Sequence, residues 1–132
     1  MRIGELARRT GVSTRVLRYY EQRGLLHARR DTNGYRRYDA RESVERVGRI
    51  RELLAVGLNT DDIRALLPCA QGGPGLQACE FSSGVMNRQM AQLESEIAEL
   101  TRKRAALAAY AQVMQARRAE DEALAARALR SA

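Results

Sequence analysis

The sequence predicts a mainly α-helical protein. Ala and Leu dominate its 132 residues, proline occurs only at Pro68 and Pro74, and apolar residues recur every three or four positions. One phenylalanine and no tryptophan argue against a large aromatic core. The length allows one modest domain plus an extension.

The first helix is expected over residues 3–9, with Ile3, Leu6 and Ala7 on one face. Thr10-Gly11-Val12 reads as a turn in which Gly11 takes positive φ. Ser13 is a good N-cap for a second helix running to about Gln22, with Val16, Leu17 and Tyr20 inward and Gly24 ending it. Asp31-Thr32-Asn33-Gly34 is the strongest turn signal in the chain, and Asn-Gly between short extended arms reads as a β-hairpin within 26–38. Asp39 caps a third helix over about 40–56, with Val44, Val47, Ile50, Leu53 and Leu54 inward and Gly57 stopping it. Asn59 or Thr60 caps a fourth helix to Leu67, with Asp61 and Asp62 favoured by the dipole in its first turn and Pro68 at its end.

Residues 68–79 read as a Gly/Pro-rich linker. Beyond it, Met86, Met90, Leu93, Ile97, Leu100, Arg104, Leu107, Ala111 and Met114 alternate in steps of four and three. That is a heptad seam interrupted by Arg104, and too little chain remains to cover it, so self-association is expected. An acidic partner for Arg104 would come from Glu94, Glu96 or Glu99 of a second copy. The resulting division is 1–67 as an N-terminal domain, 68–79 as linker, 80–116 as a coiled-coil dimerisation helix and 117–132 as a flexible, fraying tail.

Charge separates these segments. Ten arginines face only Glu5, Glu21 and Asp31 in the first 38 residues, a net charge of +7, whereas residues 39–132 balance to zero. Such concentration builds a surface for a polyanion. All but one of the 23 basic residues are arginine, with Lys103 the exception. Arginine forks match phosphate and guanine edges, and the plainer reading is the codon usage of a GC-rich genome.

Two helices around Gly11 fit a helix-turn-helix, in which polar residues near the start of the second helix reach the major groove. Ser13, Thr14, Arg15 and Arg18 are the candidate base and phosphate contacts, and Tyr19 offers a hydroxyl to phosphate. The hairpin beside them reads as a wing, with Arg36 and Arg37 for phosphates. Of Tyr35 and Tyr38, one is expected to fill the core.

The segments Arg2-Ile3-Gly4-Glu5-Leu6-Ala7, Gly11-Val12-Ser13-Thr14-Arg15-Val16-Leu17-Arg18-Tyr19-Tyr20-Glu21, Gly24-Leu25-Leu26 and Asn33-Gly34-Tyr35-Arg36-Arg37-Tyr38 together resemble the MerR family of bacterial transcription regulators. The likeness continues through Ile50-Arg51, Gly57-Leu58 and Ile63-Arg64-Ala65-Leu66-Leu67. It implies a winged helix-turn-helix domain followed by a long helix that pairs antiparallel in a homodimer. It also implies binding of promoter DNA, bending and untwisting it for RNA polymerase in response to a signal. Carried over by position, the DNA contacts fall on Thr14, Arg15, Arg18, Tyr19, Arg36, Arg37 and Tyr38. The dimer contacts fall on the seam residues Met86, Met90, Leu93, Ile97, Leu100, Leu107 and Met114. An effector-independent architectural or excisionase-like DNA bender is the alternative.

Cys69 and Cys79 leave three readings open: ordinary thiols, a redox pair, or ligands to a soft metal ion. Their spacing is not a usual zinc pattern, and no cofactor is firmly implied. In metal-sensing members of the resembled family a cysteine stands near Cys79, but those proteins also carry cysteines in a later loop, which this chain lacks. Residues 115–132 are too few for a ligand-binding domain, so any effector is expected to act near the loop and long helix. His27, the only histidine, is expected at the surface or on a phosphate. No nucleophile–base set, phosphate loop or paired carboxylate suggests an enzyme. No apolar run is long enough to span a bilayer and the N-terminus lacks a signal-peptide core, so a cytoplasmic location is expected.

Overall fold

The computed structural model describes residues 1–70 and 80–131. The elements are α1 (Ile3–Thr10), α2 (Thr14–Gln22), β1 (Arg29–Arg30), β2 (Arg36–Arg37), α3 (Ala40–Ala55), α4 (Thr60–Leu66), a 3-10 turn (Leu67–Ala70) and α5 (Glu80–Ser131). Two compact units result, Met1–Gln89 and Met90–Ala132.

Local chemistry sets the helix ends. Gly11 takes φ 73° and its N–H donates to Ala7 O at 2.9 Å, turning the chain between α1 and α2. Ser13 Oγ accepts from the Val16 N–H at 3.2 Å. Asp39 Oδ1 accepts from the N–H groups of Arg41 and Glu42 at 3.0 and 2.8 Å, and Asn59 Oδ1 accepts from Asp62 N–H at 2.8 Å. Each such cap stabilises its helix by about 1 kcal/mol.

The core of the first unit draws on every element around the turn. Leu6 of α1, Leu17 and Tyr20 of α2, Val47, Ile50 and Leu53 of α3, and Ile63 and Leu66 of α4 are buried, with Leu25, Leu26, Tyr38 and Leu58 between them. Truncating such a leucine to alanine costs about 2–5 kcal/mol. Polar crosslinks tie the elements further. Arg51 Nη1 donates to Thr10 O at 3.1 Å, and Arg23 donates to Thr60 Oγ1 and Asp61 Oδ1 at 2.9 and 2.8 Å.

The first turns of α5 belong to this unit. Val85 is buried in the core, Arg88 donates to Asp62 at 2.8 Å, and Gln89 Nε2 donates to Val56 O at 3.0 Å. Gly57 sits at φ +89°, a backbone that favours glycine; a Cβ there would also displace the tip of the Gln89 side chain, 2.7 Å away.

Several expectations are corrected. Val16 and Leu54, expected inward, are 38% and 36% exposed, because Leu17 and Tyr20 on α2, and Val47, Ile50 and Leu53 on α3, already form the inner rows. Val44 is only partly buried, and Ser43 takes the buried place one residue earlier. The α-helix expected to end at Pro68 ends at Leu66, and the chain then tightens into a 3-10 turn that includes the proline. Most of the expected linker, 71–79, lies outside the described residues. The tail expected to fray is helical, since α5 continues through Ser131. Alanine has the highest helix propensity, and Arg118 and Glu122 pair at 3.3 Å one turn apart.

In the second unit the seam side chains Met90, Leu93, Ile97, Leu100, Leu107 and Met114 are 40–71% exposed on the single chain. Met86 belongs to the first unit, partly buried against its core.

Candidate nucleic-acid interface

The outer face of α2 is polar. Ser13, Arg15, Arg18 and Tyr19 are exposed and Thr14 is half-buried, while Leu17 and Tyr20 hold the helix to the core from behind. Arg15 makes no hydrogen bond or ion pair among the described residues.

The hairpin pairs Arg29 with Arg37 and Arg30 with Arg36 in antiparallel register. Asp31 organises its turn: Oδ1 accepts from the N–H groups of Asn33 and Tyr35 at 2.9 and 3.0 Å, and Oδ2 accepts from Arg37 Nε at 3.0 Å. That Arg37 hydrogen bond holds the Asp31 carboxyl below its usual range. Gly34, at φ 80°, closes the turn by donating to Asp31 O at 3.0 Å. Behind the hairpin, His27, Arg29 and Arg46 help line an open cavity of about 390 Å³.

Arg36 and Arg37 are exposed, as a wing requires. Tyr38 is placed otherwise. The resemblance assigned it to DNA, but it is 2% exposed and its hydroxyl donates to Glu21 Oε2 at 3.2 Å. Burial first, then the Glu21 charge, push its pKa up. Tyr35 is the outward tyrosine, 54% exposed.

Sequence reasoning missed the work of the acids. All three carboxylates of the basic stretch pair with arginine: Glu5 with Arg9 at 2.9 Å, Glu21 with Arg36 at 3.5 Å, and Asp31 with Arg37 at 3.0 Å. Their scarcity in so basic a segment was the available signal. Arg23 is likewise engaged, by Asp61, so part of the +7 organises the domain internally.

Cys69 is half-buried in the 3-10 turn, and Cys79 lies outside the described residues. Among the described residues, no group of three or more His, Cys, Asp or Glu is placed to hold a metal ion. No described helix is long and apolar enough to cross a membrane.

A capped helix presenting free cations, braced by a second helix and flanked by an arginine hairpin, defines a winged helix-turn-helix DNA-binding protein. Residues 1–69 match the profile of the MerR HTH family regulatory proteins and residues 44–110 that of the MerR DNA-binding segment. The chain belongs to the MerR family of transcription regulators. It is 33% identical to the HTH-type transcriptional regulator ZntR of Escherichia coli K12 over 75% of this chain and 70% of that one. Among solved structures it is similar to the regulator PbrR691 from Ralstonia metallidurans CH34, determined in complex with lead(II). The TM-score is 0.67 and the identity 31%, over 81% of each chain. It is also similar to HiNmlR, a MerR family regulator lacking the sensor domain and bound to promoter DNA. There the TM-score is 0.52 and the identity 26%, over 80% of this chain and 82% of that one. The chain spans between 29% and 43% of the length of the four curated relatives it matches first. These likenesses are to regulators and do not favour the effector-independent bender.

Proposed function

We propose that the protein acts as a homodimer on promoter DNA, with α2 in the major groove and the hairpin on the flanking backbone. Arg15 and Arg18 contact bases and phosphates from the start of α2, Ser13, Thr14 and Tyr19 add polar contacts, and Arg36 and Arg37 hold phosphates from the wing. Antiparallel pairing of α5 joins two such heads across a pseudo-palindrome and covers the exposed seam. Bending and untwisting a site of about 20–30 base pairs costs on the order of a few kcal/mol, a scale that phosphate contacts supply. RNA polymerase then engages the reshaped promoter, in response to a signal.

The observations that carry this reading are Arg15 on α2, exposed and without a hydrogen-bond or ion-pair partner among the described residues, and the exposed Arg36 and Arg37 of the hairpin. The test is footprinting on the promoter of the protein's own gene, followed by transcription with RNA polymerase. A two-half-site footprint whose affinity falls steeply with salt supports the reading. Binding indifferent to salt, or a protein monomeric at micromolar concentration, overturns it.

A further inference from the structure

Arg2 lies outside every residue assigned to DNA above, yet the structure aims it at the wing. Its Cζ sits 4.6 Å from the centroid of the Tyr35 ring. Both side chains are exposed, and the Arg2 guanidinium has no ion pair among the described residues. Its backbone is anchored on both sides. Arg2 O accepts from the N–H groups of Glu5 and Leu6, each at 3.1 Å, and the preceding Met1 O accepts from Tyr38 N–H at 2.7 Å. The start of α1 is thereby fixed beside the strand that leaves the wing.

A guanidinium stacked on an aromatic ring uses its face and leaves its N–H edge available. Stacking also removes much of the rotamer freedom a long side chain loses on binding an anion. Arg37, by contrast, already donates to Asp31 at 3.0 Å. We propose that Arg2 and Tyr35 form a phosphate-binding unit, in which the Tyr35 ring holds the Arg2 guanidinium edge-outward for one backbone phosphate of duplex DNA. This rests on the DNA-binding reading above and adds a cation from outside the helix-turn-helix and the wing.

The test measures binding of the full chain to a mixed-sequence duplex of about 30 base pairs across a potassium chloride series, where phosphate contacts dominate affinity. Arg2→Gln should shallow the log–log salt slope by about 0.9 and weaken binding by about eightfold at about 0.1 M salt. Tyr35→Leu should weaken binding by about two- to fivefold, and Tyr35→Phe, which keeps the ring, should match the wild type. A flat wild-type slope sinks the DNA reading itself and this inference with it. A steep wild-type slope left unchanged by Arg2→Gln, even with a lowered Tm, overturns only this inference and makes the stack a structural contact. Equal losses for Tyr35→Phe and Tyr35→Leu also overturn it, because the hydroxyl rather than the ring would then matter.

Discussion

The Tyr38 hydroxyl donates to Glu21 Oε2 at 3.2 Å, joining the strand that leaves the wing to the last turn of α2. The same oxygen stands 3.5 Å from Arg36 Nη1, so one carboxylate serves a buried phenol and an exposed cation. Tyr38→Phe removes the hydrogen bond and keeps the ring. Unfolding free energy should fall by about 1 kcal/mol in urea titrations. DNA affinity of the folded fraction should stay within about twofold, well inside the range of a lost base contact. A large loss of affinity without loss of stability would return Tyr38 to the DNA interface.

Alkaline pH should expose the same burial. Tyr38 and Tyr20 both have pKa values raised above 10.0, in each case first by burial; the Glu21 charge adds to the effect at Tyr38, and Arg51 opposes it at Tyr20. A raised folded pKa means that the unfolded phenol ionises first. Their contribution to stability is therefore complete below about pH 10 and is lost as pH rises through the folded values. Denaturation midpoints measured upward from pH 8 should hold and then fall. Tyr20→Phe and Tyr38→Phe should each flatten that fall, and an unchanged profile in both variants would refute the assignment.

Arg15 is the sharpest test of base reading, because no internal partner among the described residues competes for it. Arg15→Ala should lower affinity for the operator by about 1–3 kcal/mol while leaving mixed-sequence binding much less affected. Equal losses on both duplexes would make Arg15 a phosphate contact.

Asp31 separates the wing's shape from its charge. Asn at this position retains an oxygen for the N–H groups of Asn33 and Tyr35 and removes the negative charge beside Arg37. Asp31→Asn should therefore tighten mixed-sequence binding and steepen its salt dependence, since Arg37 becomes free for phosphate. Asp31→Ala, which also removes the turn acceptor, should instead weaken operator binding. If both variants behave alike, the turn hydrogen bonds are irrelevant to the wing.

What could be read in the sequence was local. Ser13, Asp39 and Asn59 announced their helices because a cap acts within three residues, and Asn33-Gly34 announced the hairpin for the same reason. Facing was harder. Val44 is more apolar than Ser43, yet Ser43 is buried with Val47 and Ile50 because it shares their row on α3. Long-range partners were invisible: Tyr38 meets Glu21 across 17 positions and Arg23 meets Asp61 across 38, choices made by the packed fold. At the interface, the exposed cations of α2 and the hairpin were legible from charge, whereas the acids that fix the wing were read only as exceptions to it.

Arg104 tests the dimer. It occupies a seam position flanked by Leu100 and Leu107, both exposed on the single chain. Pairing two copies of α5 would take its guanidinium out of water, at a cost that an ion pair only partly offsets. Glu94, Glu96 or Glu99 of the second copy would supply that pair. Arg104→Leu should therefore strengthen the dimer by about 1–4 kcal/mol, read by sedimentation equilibrium at moderate salt. Its gain should exceed that of Lys103→Leu, which lies outside the heptad positions. A dimer left unchanged or weakened by Arg104→Leu would mean that this arginine never enters the interface, and that the helices pair along a different stripe.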